Sequence, residues 1–303
     1  MEHFSDRLAA SVIDRRSLVC VGLDPALERM PPALLEKHRP SATVDEDEAV
    51  AACFAEFCAG VIEAVAPAAA CVKPQAAFFE QYGAAGWRAL TETVACAHAH
   101  GLPVILDVKR GDIASTGAAY RRAAFGGAPG FAAPVAGAGA DAVTVNPYLG
   151  DDALAPFVDA CAEGRGVFVL VRTSNPGAAM LQELEVEGRP LYLHVADVVA
   201  RLGAAHVGAR GYSDVGAVVG ATAPAALRAV RAALPRAFLL VPGVGAQGGG
   251  TDTLGELKVG DAGGLVVNAS RSIIYAWQQG QSDFQRAAAE GAEALRRELG
   301  PPA

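Results

Sequence analysis

Val104-Ile105-Leu106-Asp107-Val108-Lys109-Arg110-Gly111-Asp112-Ile113 begins as an apolar run with β-branched residues and then abruptly carries charge. Such a run reads as a buried parallel strand. Side chains alternate along a strand, so Asp107 and Lys109 share one face while Val108 takes the other. Asp112 follows where the chain should be turning, placed either to approach the same lysine or to reach outward to a neighbour. Two acids around one base make a candidate active site. The alternative, an ordinary ion-pair cluster at a strand end, is disfavoured by the cost of burying charge.

Outward from this stretch, apolar runs recur at 18–23, 69–73, 141–145, 167–171, 215–219, 238–241 and 265–267, with Pro74 ending the second of them. Helical patterns lie between them. Val50, Phe54, Phe57, Val61 and Val65 keep helical spacing behind a capping-box pattern, Thr43 followed by Glu46. Trp87, Leu90 and Val94 mark a second amphipathic helix closed by Gly101, and 114–124 is helical. Leu191, Val195, Val198 and Leu202 give another helix with one apolar side, Pro224 suits a first helical position, and 282–299 is a charged helix. Residues 25–42, with four prolines, read as a long loop, and 126–140, rich in Gly, Ala and Pro, as a connector.

Eight strands alternating with helices are the count and order of a TIM (β/α)8 barrel, an α/β fold, here a single domain over 1–303 with a loop insertion at about 25–48. A doubly wound open sheet is the alternative. The barrel is favoured by where the polar residues fall. Asp24, Lys73, Asp107 with Lys109, Asn146, Ser174 and Gly243 all lie at or just beyond strand C-terminal ends, the face on which barrel enzymes build their sites.

Two further segments carry chemistry. Pro242-Gly243-Val244-Gly245-Ala246-Gln247-Gly248-Gly249-Gly250 follows the seventh strand, and successive free N–H groups in such a loop cradle an anion. The eighth strand runs into Asn268-Ala269-Ser270-Arg271, where Arg271 can add a charge-assisted contact to the same phosphate site. Arg172-Thr173-Ser174-Asn175-Pro176-Gly177, after the fifth strand, offers hydroxyl and amide groups suited to a planar heterocycle, or simply to a turn.

Composition narrows the classes. With 52% hydrophobic residues and 19% charged, the 303-residue chain easily supplies a large core. A formal net charge of -8 and a pI near 5.3 argue against nucleic acid or an anionic membrane as the main partner. No stretch approaches a membrane span and the N-terminus has no signal-peptide core, so a soluble, cytoplasmic protein is expected. The cysteines, Cys20, Cys53, Cys58, Cys71, Cys96 and Cys161, lack metal-ligand spacing and read as small buried hydrophobes in a reducing compartment; His98 and His100 make a poor metal pair.

Taken together, LDVKRGDI, VGLDP, CVKPQAAFFEQYG, RTSNPGA, PGVGAQGG and NASRSIIYA resemble the orotidine 5'-phosphate decarboxylase family in its longer bacterial form, over nearly the whole barrel. The resemblance implies decarboxylation of orotidine 5'-phosphate to UMP and CO2 with no metal and no cofactor. It implies a catalytic array of Lys73, Asp107, Lys109 and Asp112. It also implies a substrate-binding set in which Asp24 holds the ribose hydroxyls, Ser174 the pyrimidine, Gln247 both base and phosphate, and Arg271 the phosphate, with Pro242 beside them. Family members are homodimers, which implies that Asp112, accompanied by Thr116, serves a partner's site. Ser270 stands where many members have glycine, and 25–48 is an insertion relative to compact members. The alternatives are a metal-dependent sugar-phosphate decarboxylase or synthase on the same barrel and a non-catalytic nucleotide-binding barrel. The complete set of lysines and aspartates speaks against the latter.

Overall fold

Strands buried on both faces need no polar alternation, and the eight apolar runs form one parallel sheet. The computed structural model describes residues 1–40, 43–244, 253–280 and 283–302. Its strands are β1 (Val19–Leu23), β2 (Cys71–Pro74), β3 (Ile105–Arg110), β4 (Ala142–Val145), β5 (Gly166–Arg172), β6 (Glu185–Val186), β7 (Arg189–Pro190), β8 (Ser213–Val219), β9 (Ala237–Pro242) and β10 (Leu265–Ala269). All but β6 and β7, a small antiparallel hairpin, belong to the sheet, in the order β2-β1-β10-β9-β8-β5-β4-β3. Its end strands β2 and β3 meet through parallel bridges at Val72–Val104 and Gln75–Asp107, bringing the ring to near closure. Helices alternate with these strands, giving the single-domain (β/α)8 barrel.

The helix Glu46–Val65 buries Val50, Phe54, Phe57, Val61 and Val65, the face its spacing predicts. Phe57 stacks on Tyr275 and Phe284, with ring centroids 5.8 and 5.2 Å away. Its start differs from expectation: the N-cap is Asp45, two residues past Thr43, and the Asp45 side chain makes no capping bond. The expected loop at 25–42 also contains structure, a 3-10 turn at Leu27–Arg29 and a helix at Pro32–Lys37 that begins on proline and buries Leu34, with Met30 buried before it. In the helix Leu191–Gly203 the fully buried stripe is Tyr192, Ala196, Val199 and Gly203. The expected Leu191, Val195, Val198 and Leu202 flank it, half-buried. Pro74 is the last residue of β2, not the first beyond it.

The helix Phe4–Arg15 passes beneath the strand N-termini and plugs that end of the barrel. Phe4 packs edge-to-face on Phe168, 6.1 Å between centroids, and sits over Gly166, where an added Cβ would meet the ring at 2.1 Å. Ser11 and Ser17 donate to the carbonyls of Ala70 and Ala68 ahead of β2, tying the helix to the strand bases. No described helix is long and apolar enough to cross a membrane.

Candidate active site

At the opposite end, β2 and β3 deliver the charged residues. Lys73 and Asp107 are buried, and Nζ of Lys73 donates to Oδ2 of Asp107 at 2.8 Å. Lys109 donates to Oδ1 of the same carboxylate at 2.7 Å. Its side chain keeps 46% of its surface exposed, against 8% for Asp107, so Lys109 is the outward-facing charge of the pair. Lys109 also holds a left-handed backbone, φ 46°, a conformation that non-glycine residues adopt at a cost of about 1–3 kcal/mol.

Two further donors complete Asp107. Gln75 Nε2 reaches Oδ2 at 2.9 Å and Thr144 Oγ1 reaches Oδ1 at 2.7 Å. Each carboxylate oxygen thus accepts twice, which is what an ionised buried carboxylate requires. Burial by itself would raise the Asp107 carboxyl. The ammoniums of Lys73 and Lys109 outweigh it and hold the group well below the usual carboxylate range. Burial likewise pulls Lys73 down, but Asp107 and Asp24 together raise it above the ordinary lysine value.

Asp112 does not join this cluster. Its Oδ1 accepts from the Ile113 N–H of its own turn at 2.8 Å, and Thr116 is exposed one helical turn further on. Asp24, Pro242 and Arg271 line one pocket with Gly243, Asn268 and Ser270, where β1, β9 and β10 end. Oδ1 of Asp24 is buried there without a hydrogen-bond partner among the described residues. Arg271 is exposed and makes no ion pair among them. Ser270 is accommodated because its neighbour on β1 is a glycine: a Cβ on Gly22 would lie 1.9 Å from Ser270 Oγ. Ser174 stands at the exit of β5, its carbonyl accepting from Thr222 at 3.2 Å, in a turn braced by Arg172, whose guanidinium donates to Glu183 at 2.7 and 3.0 Å. Gln247 lies outside the described residues.

Three side chains that shape the site were not singled out from sequence. Gln75, two residues past Lys73 and thus on its face, carried a usable signal. Thr144 is 1% exposed in the run Ala-Val-Thr-Val, and a polar residue in a buried strand calls for a partner. Tyr275 gave less warning. Its hydroxyl donates to the Asp24 carbonyl at 2.9 Å and accepts from Ala26 N–H at 2.8 Å, fixing the loop that presents Asp24; burial pushes the phenol up.

The family model described as orotidine 5'-phosphate decarboxylase / HUMPS family matches residues 17–282. An orotidine 5'-phosphate decarboxylase of Rhodopirellula baltica is 46% identical over 291 residues, 96% of this chain and 93% of that protein. One of Caldicellulosiruptor saccharolyticus is 39% identical over 301 residues, 99% of this chain and 98% of the relative. Among solved structures, Leishmania donovani OMP decarboxylase superposes with a TM-score of 0.73 at 36% identity, covering 98% of this chain and 97% of that one. On this agreement of sequence, barrel and charged strand end, the chain belongs to the orotidine 5'-phosphate decarboxylase family.

Proposed function

We infer that the chain decarboxylates orotidine 5'-phosphate to UMP and CO2, the last step of UMP biosynthesis, with Lys109 as the group that meets the reacting carbon. The observation that carries this reading is the asymmetry of the charged cluster. Asp107 is buried with both oxygens twice bonded and Lys73 is buried against it, while Lys109 is anchored at 2.7 Å on Asp107 and its side chain stays half-exposed.

Loss of CO2 breaks the bond between the ring carbon and its carboxylate and leaves the electron pair on that carbon. An ammonium held in place stabilises the developing charge without reorganising, and then delivers a proton to form the C–H bond of UMP. Lys109 regains its proton from water. Asp107, ionised throughout, anchors the Lys109 ammonium, and its negative charge would repel a substrate carboxylate brought beside it. Asp24, with one buried oxygen unpartnered among the described residues, suits a pair of ribose hydroxyls. Arg271, beside the amides that follow β9 and β10, suits the phosphate. Ser174 and Gln247 are assigned to the pyrimidine, with Gln247 extending to the phosphate. Binding energy from the phosphate, remote from the bond that breaks, then serves the reacting end.

Asp112 bonds to its own turn and Thr116 is exposed, and in this reading they complete the site of a second copy in a cytoplasmic homodimer. Nucleic acid and membrane have no part in it. The ultraviolet band of orotidine 5'-phosphate, followed with purified protein in excess EDTA, tests the activity: its loss, with UMP as product, is expected. Persistence of the band with and without magnesium would overturn the reading, leaving a binding protein if the nucleotide still binds and a metal-dependent sugar-phosphate enzyme to be tested if it does not. Mixing inactive Lys109→Ala and Asp112→Ala proteins tests the sharing. Subunit exchange should restore up to about a quarter of full activity, because half the dimers then carry one intact site. No recovery despite exchange would confine each site to one chain.

A further inference from the structure

We propose that Thr144 is a positioning residue for the reaction, setting the place of Lys109 and Asp107 through a single hydroxyl. This rests on the reading of Lys109 given above. The ladder between β3 and β4 pairs Ile105 with Ala142 and Leu106 with Val143, then resumes at Arg110 with Val145. Asp107, Val108 and Lys109 therefore all lie opposite Thr144 alone. A bulge of this kind takes backbone N–H groups out of the ladder and needs another acceptor for them.

Thr144 supplies it. Its Oγ1 accepts from Val108 N–H at 3.1 Å and from Lys109 N–H at 3.0 Å. Two lone pairs are thereby used, which leaves the hydroxyl hydrogen for the third neighbour, Asp107 Oδ1 at 2.7 Å. That oxygen is also the one on which Lys109 Nζ rests, at 2.7 Å. One atom, 1% exposed with its residue, thus ties the left-handed backbone of Lys109 (φ 46°) to the carboxylate that anchors its side chain. The base of the lysine and its tip are fixed from the same point. The bulge re-aims the lysine, and the hydroxyl keeps the bulge.

Valine copies the shape of threonine without the hydroxyl, and serine keeps the hydroxyl without the methyl. Thr144→Val, Thr144→Ser and Lys109→Ala are compared with the unaltered protein by steady-state kinetics, UMP affinity and thermal unfolding. The expected result is a fall in kcat of about 10-fold or more for Thr144→Val, with KM and UMP affinity within about 3-fold, and a return to within about 3-fold of full kcat for Thr144→Ser. Packing alone would produce a different pattern, with lower melting temperature in the serine variant and kcat following neither hydroxyl. A Thr144→Val kcat within about 3-fold of the unaltered value, or a serine variant as slow as the valine one, would overturn the proposal. Should the valine protein not fold, Thr144→Ala is read by the same limits. Lys109→Ala separates the two levels: near-normal turnover in it removes the role of Lys109 itself, whereas an inactive Lys109→Ala beside a normal Thr144→Val removes only that of Thr144.

Discussion

The carboxylates at the two ends of the barrel are treated differently. At the plugged end, Asp6 accepts from the N–H groups of Ala209 and Arg210, both at 2.9 Å. Asp214 takes Ser5 N–H at 2.8 Å on one oxygen and His3 at 2.6 Å on the other, and Asp141 is shared by Arg7, His98 and Val104 N–H. Every oxygen of these three has a local partner. At the open end, Asp24 leaves an oxygen buried and unmatched among the described residues, Asp112 accepts from its own turn, and Asp107 is surrounded by more positive charge than it neutralises. A polar group satisfied within the fold stabilises it; one left unsatisfied lowers stability and is retained for a ligand. The contrast separates the end that holds the barrel together from the end to which the proposed site is assigned.

The largest effect should come from removing the exposed charge of the open end. Lys109→Ala should lower turnover by at least about 10³-fold in the ultraviolet assay while UMP still binds. Near-normal turnover would remove the distinction at its centre. Next is Arg271→Ala, for which we expect kcat/KM to fall by about 10- to 100-fold, chiefly through KM, with the melting temperature unchanged. Unchanged kinetics would leave the arginine an ordinary surface residue.

The plugged end should respond in the opposite sense. Asp141→Asn gives up charge-assisted bonds to Arg7 at 2.9 Å and His98 at 2.8 Å and should cost about 1–3 kcal/mol in denaturant unfolding, with kcat within about twofold. The pH dependence follows from its carboxyl. Burial would raise it, but His98, the Val104 N–H and Arg7 hold it below the usual range. A group depressed on folding contributes stability above its unfolded value and loses it as pH falls through the folded one. The gap in melting temperature between the unaltered protein and Asp141→Asn should therefore be full at neutral pH and close as the solution becomes strongly acidic. A gap independent of pH would mean that shape, not charge, is what Asp141 provides.

How much of this was legible beforehand follows the same division. Buried parallel strands are continuous apolar runs, so all eight could be placed within a few residues, and the charges at their ends marked the candidate face. The helix at Pro32–Lys37 was hidden because proline at a helix start and proline in a loop look alike in sequence. The stripe of Leu191–Gly203 was misplaced by one position because Leu191, Tyr192, Leu193, Val195, Ala196, Val198 and Val199 are apolar almost all round the helix. That Thr144 needs a partner is legible from its place in a buried strand, but which partner is not. Its partners exist only because β3 bulges opposite it, and a register shift has no signature in the strand that faces it.

The smallest expected effect is the most discriminating. Asp24→Asn keeps the size of the side chain and removes the charge. Two terms then oppose each other in stability. The buried Oδ1, without a hydrogen-bond partner among the described residues, no longer carries part of a charge, which favours the folded state; Lys73 loses one of the negative neighbours that raise its pKa, which disfavours it. With Asp107 still bonded to Lys73 at 2.8 Å, the second term is minor, and unfolding should shift by no more than about 1 kcal/mol, toward greater stability. Substrate affinity should fall in the same variant, since a ligand hydroxyl that donates to a carboxylate loses a charge-assisted acceptor. Paired calorimetry and kinetics on Asp24→Asn and Asp141→Asn then read the two ends directly. A destabilised Asp24→Asn with intact substrate affinity would make Asp24 a structural carboxylate like Asp141, and the difference between the ends would no longer distinguish binding from folding.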